Sequence, residues 1–232
     1  LDRTVFHLIN EQWTSPALDL FMAALSNSEI WKPLFIGIGL SAVFFGGFKG
    51  RACVICLLLS LLIAELFTGI LRTAVDRRRP KQVESVRMVE MQRTHPKFMT
   101  LFKRPTVRFS DQSDRNRSGP SFPSGHMTIN TIIAVYCTLF YRRRGWLYWI
   151  VSASVGYSRI YLGAHWPSDI LATLFLAVGE ALLTLGLFEW IWRTAARKWA
   201  PTVYARHPSL MVDHASSLPS SNSQARGSRY SQ

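Results

Sequence analysis

Ala52–Val75 reads ACVICLLLSLLIAELFTGILRTAV, with Glu65 and Arg72 its only charged residues. The run exceeds the ~20 apolar residues that cross the hydrocarbon core of a bilayer. Working outward, Pro33–Phe48, Met127–Tyr141, Gly145–Gly163 and Ile170–Trp192 approach or reach the same length. A water-soluble chain would need many partners to bury five such segments, so a membrane-embedded domain is expected. A shorter stretch, Pro16–Trp31, holds the apolar core Ala17–Leu25, interrupted by Asp19. Counting it as a weak span gives an all-α, polytopic membrane protein with about six transmembrane helices. That domain occupies residues 1–200. A Ser-rich tail over 201–232 is expected to be disordered, and residues 1–15, with Val5, Phe6, Leu8 and Ile9, to lie on the membrane surface.

The breaks between runs follow ordinary rules. Gly46–Gly47 and Lys49–Arg51 separate the second run from the third. Pro80 ends the helix that carries Arg72, Arg142–Gly145 makes a tight turn, and Pro167 suits the first turn of a helix. The start, Leu1–Thr14, has no basic region followed by an apolar stretch and a small-residue cleavage site, so no cleavable signal is expected there. Cys53 and Cys56 form a C-x-x-C inside the apolar run, without other ligand types, and read as small buried hydrophobes.

With 27 Lys and Arg against 14 Asp and Glu, the chain carries a formal charge of +13. Twelve of the basic residues lie between Arg77 and Arg117, beside only Glu84, Glu90, Asp111 and Asp114. No zinc spacing, helix-turn-helix pattern or aromatic RNA-binding motif accompanies them, which argues against nucleic acid. A basic extramembrane loop over 81–120 fits phosphate head groups better. Loops this long are usually functional or disordered. This one is expected to lie over the site and to recruit anionic substrate through Arg87, Arg93, Lys97, Lys103 and Arg104.

Three pieces of sequence sit at the edges of apolar runs. Arg72 is followed by six residues and then Arg79-Pro80. Pro123-Ser124-Gly125-His126 precedes the fourth run. Ser158-Arg159 is followed by five residues, His165, three more, and Asp169. Phosphoryl transfer is mostly positioning and neutralisation of charge on the equatorial oxygens. Arg72, Arg79 and Arg159 supply planar, permanently charged donors. Ser124 adds a hydroxyl, and Gly125 lets backbone approach an anion at a helix start. The two histidines, His126 and His165, add imidazoles, which titrate near neutrality.

Together the three pieces resemble the signature motifs of the type-2 phosphatidic acid phosphatase family, which also contains glucose-6-phosphatase and the vanadium haloperoxidases. The resemblance spans roughly Arg72 to Asp169. It implies that His165 attacks phosphorus and carries a phosphohistidine, and that His126 protonates the leaving oxygen. Asp169 would accept the other ring N–H of His165, and neither metal nor other cofactor would be needed. The one departure is Arg72, where the family usually has Lys; a fork replaces a point charge.

The substrate implied is a lipid phosphate in the bilayer. Ile9-Asn10 and Leu18-Asp19 resemble the N-terminal block of bacterial undecaprenyl diphosphate phosphatases, favouring a polyprenyl diphosphate. Lipid A, phosphatidylglycerol phosphate and phosphatidic acid remain alternatives, as does phosphoryl transfer to another lipid. A haloperoxidase is disfavoured by the spans, and a non-catalytic lipid-binding protein by the complete motifs. A cytoplasmic N-terminus and six crossings would put all three motifs on the outer face of a bacterial inner membrane. The loop's own charge votes the other way. Glu65 and Glu180 lie inside spans, where ionisable groups are costly; a hydrogen-bonded Glu between helices is the favoured reading.

Overall fold

The computed structural model describes residues 1–92, 97–116 and 119–211. Helices run over Asp2–His7 (α1), Pro16–Ser26 (α2), Ser28–Phe45 (α3), Gly47–Val75 (α4) and Pro80–Val83 (α5). Two strands follow, Arg87–Glu90 (β1) and Thr106–Phe109 (β2), and then helices Gln112–Asn116 (α6), Gly125–Tyr141 (α7), Tyr148–Tyr161 (α8), Pro167–Trp199 (α9) and Pro201–Arg206 (α10). Helix α7 is the hub and packs on α4, α8 and α9. Chain direction explains the site: α4 and α8 run toward one end of the bundle, whereas α7 and α9 start there.

At a rise of 1.5 Å per residue, the 29 residues of α4 and 33 of α9 exceed the thickness of a bilayer core. By length and apolarity, three helices among the described residues can cross a membrane: Ser28–Phe45, Gly47–Val83 and Pro167–Trp199. Helices α2, α7 and α8, of 11, 17 and 14 residues, are shorter. Length therefore does not reach the six spans expected. The outer faces carry Leu34, Ile36, Phe44, Leu58, Leu66, Phe175 and Leu183, all exposed. Such a belt suits lipid rather than water.

Two clusters hold the molecule. Along the middle of the bundle, Ala52, Cys53, Cys56 and Ala64 of α4 and Ala177 and Ala181 of α9 close on Ile132, Tyr136 and Phe140 of α7. Small residues let the helices approach, as in membrane bundles generally. The two thiols are thus core atoms, as expected. Inside this seam the Tyr136 hydroxyl and Ser60 Oγ are 2.5 Å apart, and Ser60 Oγ donates to Thr184 Oγ1 at 2.7 Å.

The second cluster, at the end where α9 begins, joins Phe6, Ile9, Met22, Val86, Met127, Tyr161, Trp166 and Ile170. It corrects the reading of residues 1–15 as a surface segment, because Phe6 is 0 % exposed. The rings of Phe6 and Trp166 lie 5.1 Å apart. Asn10, also buried, donates from Nδ2 to the carbonyls of Arg87 and Tyr161. An N-terminal helix with an apolar face will cover a protein core as readily as a membrane surface.

The all-α expectation needs a small correction. β1 and β2 pair antiparallel, Arg87 opposite Phe109 and Glu90 opposite Thr106, within the basic loop. Arg87 is also not a free recruiting charge: its Nη2 donates to both Asp19 oxygens at 2.7 Å, and the Tyr161 hydroxyl donates to Asp19 Oδ1. That ion pair staples the ribbon to α2 and α8. Arg108 is held by Glu90 and Asp114. Lys103 and Arg104 are exposed; Arg93 lies outside the described residues, and of the Lys97 side chain nothing is described.

At the far end residues 201–211, expected to belong to a disordered tail, are placed in the structure. α10 is helical, Glu189 Oε2 accepts from the Leu210 N–H at 2.9 Å, and Leu210 is 7 % exposed. Residues 212–232 lie outside the described residues.

Candidate active site

All three sequence pieces come to one end of the bundle. Arg72 lies in the last turn of α4, whose helix stops at Asp76 in a left-handed conformation. Arg79 follows in the link to α5. Its Nε donates to the carbonyls of Gly119 and Pro120 at 2.9 and 3.3 Å. Ser124 is the N-cap residue of α7 and Gly125 its first residue. The leading N–H groups of α7 therefore have no partner within the helix and form its positive end. A Cβ on Gly125 would stand 3.0 Å from Arg72 Nη2, so glycine is what lets this guanidinium lie against the start of α7. Arg159 lies in the last turn of α8, and the chain beyond it passes through Gly163 at φ +70° before reaching His165. Pro167 then opens α9.

His165 is 3 % exposed, and its Nδ1 lies 2.6 Å from the Ser121 carbonyl oxygen. A carbonyl only accepts, so Nδ1 carries the proton and Nε2 of the neutral ring keeps its lone pair. Burial, reinforced by Arg159, Arg79 and His126, holds this imidazole well below its ordinary pKa. The neutral form of the ring is therefore favoured at pH 7.

The expected hydrogen bond from His165 to Asp169 is thus replaced by one to Ser121. Asp169, wholly buried, is otherwise engaged. Its Oδ2 accepts from Ser121 Oγ and from the Trp166 N–H, and its Oδ1 accepts from Arg77 Nη1 at 2.6 Å. Placed in the first turn of α9, its carboxylate folds back onto that helix's own start, while the His165 ring meets the backbone at Ser121.

Ser124 Oγ and Arg159 Nε, both at this end, are buried with no partner among the described residues. Ser124 commits its N–H to Thr173 Oγ1 at 3.1 Å and leaves the hydroxyl unused. Burial lowers the pKa of both Arg79 and Arg159, and like charge adds to it, Arg72 acting on Arg79 and Arg79 on Arg159. Partly buried like charges repel, and the arrangement calls for an anion among them.

His126 sits one residue into α7, and its Nε2 lies 3.2 Å from the Ser26 carbonyl. Ser26 Oγ also accepts from Arg159 Nη1. Ser26, Arg77 and Ser121 are not legible as site residues in the sequence. Two act wholly or partly through backbone oxygens, and the third reads as one more charge in a basic run. Glu65 Oε1 lies 3.9 Å from Arg72 Nη1 with its side chain 66 % exposed. Glu180 Oε1 is buried with no partner among the described residues. Neither makes the interhelical hydrogen bond expected.

The family model described as PAP2 superfamily matches residues 53–194, more than half of the chain. The chain belongs to that superfamily. Among curated relatives, a lipid A 4'-phosphatase of Bacteroides thetaiotaomicron is 26 % identical over 162 residues, 68 % of this chain and 64 % of that protein. An undecaprenyl-diphosphatase of Sulfolobus acidocaldarius is 43 % identical over 66 residues, 28 % of this chain and 32 % of that one. Each of these alignments spans less than two thirds of the relative's own length. Aquifex aeolicus LpxE shares the fold with a TM-score of 0.56 at 22 % identity, covering 80 % of this chain and 94 % of that one. A PAP2-type phosphatidylglycerolphosphate phosphatase of Bacillus subtilis gives 0.55 at 20 % identity, covering 82 % and 87 %.

Proposed function

We propose that the protein is a membrane phosphatase that hydrolyses a lipid-linked phosphate or diphosphate through a phosphohistidine, without a metal. One observation carries this reading. Guanidinium groups, with a hydroxyl and a guanidinium N–H that lack partners among the described residues, gather at a neutral histidine whose proton is fixed on Nδ1. Arg72, Arg79 and Arg159 bind the phosphoryl oxygens, joined by Ser124 Oγ–H and the Gly125 N–H. His165 Nε2 attacks phosphorus. Burial, with the Arg159 charge next, lowers the His126 pKa to about 4. A bound phosphate offsets the arginine charge, so that the ring takes up a proton, gives it to the leaving oxygen and then takes one from the water that cleaves the phosphohistidine.

Among substrates, a polyprenyl diphosphate is favoured by the resemblance of Ile9-Asn10 and Leu18-Asp19 to the N-terminal block of undecaprenyl diphosphate phosphatases; Asn10 and Asp19 are both bound to Tyr161, two residues after Arg159. A lipid A phosphate is the second reading, favoured by the length of the alignment with the Bacteroides enzyme. The site is assigned to the outer face of a bacterial inner membrane, with lipid entering laterally. Phosphate release from a panel of lipid phosphates in detergent tests the reading, run with and without an acceptor lipid and with chelator. Release in chelator without acceptor supports it. Turnover only with acceptor makes the protein a phosphotransferase, and loss of activity in chelator restored by magnesium overturns the mechanism.

A further inference from the structure

We propose that Arg77, anchored by Asp2, is a positioning residue for the nucleophile, which makes the N-terminal helix part of the catalytic apparatus. The inference rests on the phosphatase reading above and extends it to residues outside the three motifs. Arg77 directs Nη1 to Asp169 Oδ1 at 2.6 Å and to Ser168 Oγ at 2.8 Å, and Nη2 to Asp2 Oδ2 at 2.7 Å. Asp2 in turn accepts from the Ser168 N–H at 2.9 Å and from its hydroxyl at 2.6 Å. One guanidinium thus joins α1 to the first turn of α9.

What it compensates there is a fully buried carboxylate. Asp169 Oδ2 holds Ser121 through its hydroxyl and accepts the Trp166 N–H at 3.1 Å. Ser121 supplies the carbonyl that accepts the hydrogen bond from His165 Nδ1–H, and Trp166 is the residue after His165. A single carboxylate therefore pins both the hydrogen-bond partner of His165 and the peptide that follows it. The backbone of Arg77 acts on the same segment, because its carbonyl accepts the Ser121 N–H at 2.6 Å. Both terminal nitrogens of this guanidinium are committed to protein groups, whereas Arg159 has one bound to Ser26 and a buried Nε with no partner among the described residues.

The test compares wild type with Arg77→Lys, Asp2→Asn and the double variant, in detergent, on a lipid phosphate that the wild type hydrolyses. A positioning role lowers kcat about 10- to 100-fold in Arg77→Lys and several-fold in Asp2→Asn. KM and inhibition by vanadate stay within about two-fold, because the phosphate ligands are untouched. In the double variant the two losses combine to less than their product, since part of the Asp2 effect passes through Arg77 and part through its own bonds to Ser168. A parallel loss of vanadate affinity would make Arg77 a phosphate ligand and overturn the proposal, as would strictly additive effects or an unchanged kcat. A second readout does not depend on turnover. With ¹⁵N-labelled histidine, the Nδ1 proton of His165 should exchange with solvent faster in both single variants than in wild type. Unchanged exchange rejects the proposal, whereas absent phosphate release by wild type rejects the phosphatase reading alone.

Discussion

The seam between α4, α7 and α9 and the end of the bundle where α9 begins are both largely buried, yet they treat polar groups in opposite ways. In the seam, Ser60, Tyr136 and Thr184 satisfy one another across three helices. At the site, Ser124 Oγ and Arg159 Nε are buried without partners among the described residues, and like charge acts between Arg72 and Arg79 and between Arg79 and Arg159. A buried polar group without a partner costs free energy. On the proposed function, the seam's polar atoms serve the fold and those of the candidate site serve a bound anion. The same substitution chemistry should therefore cost stability in one region and activity in the other.

The largest separation is expected at the arginines. Arg159→Ala should lower kcat/KM by about 10²–10³-fold while leaving the thermal midpoint unchanged or higher, because it relieves repulsion with Arg79. Arg72→Ala should behave alike and Arg72→Lys should retain much of the activity. A folded, fully active Arg159→Ala enzyme would remove that residue from the site.

The serine and tyrosine hydroxyls sharpen the comparison. Ser124→Ala should cost roughly 10-fold in kcat/KM, equivalent to ~1.4 kcal/mol of transition-state binding, and nothing in stability. Tyr136→Phe in the seam should cost ~0.6–1 kcal/mol of stability and leave kinetics alone. Thermal unfolding and steady-state assays on the same preparations decide it; reversed outcomes would break the distinction.

Acidity gives a subtler effect. The groups facing His165 are Arg159, Arg79 and His126, and they add to burial in lowering its pKa from 6.5. A lowered value means that the nucleophilic form persists as pH falls through the ordinary imidazole range. The acid limb of kcat/KM, which reports His165, should therefore lie below pH 6.5, and Arg159→Gln should move that limb upward. An acid limb at or above 6.5 in wild type would contradict this electrostatic account. Smallest of all is the loop: neutralising Lys103 and Arg104 should raise KM for a multiply charged lipid no more than a few-fold, with kcat unchanged. Measured in neutral micelles, the difference should fade as salt rises.

Much of the candidate site's placement was legible because its residues stand where charge meets an apolar run: Arg72 at the end of α4, Ser124 to His126 at the start of α7, Arg159 at the end of α8. Motif spacing and helix ends agree there. The partner of His165 was not legible. Ser121 reaches it through a carbonyl, which every residue possesses, and from 44 positions away. Ser26 meets Arg159 across 133 positions. Phe6 and Ile9 have an amphipathic pattern that does not say which apolar surface they will cover. The strands Arg87–Glu90 and Thr106–Phe109 are four residues each, too short for alternation to stand out inside a basic loop.

The most direct test of the central claim is to trap the reaction with a ³²P-labelled lipid phosphate, quench it, and compare the labelled residue with the two phosphohistidine isomers. Since Nδ1 of His165 is committed to the Ser121 carbonyl, phosphate should be found on Nε2 of His165. The adduct should be acid-labile and base-stable, and His165→Ala should abolish it together with turnover. Label on Nδ1, label on His126, or an unchanged yield in His165→Ala would contradict the account.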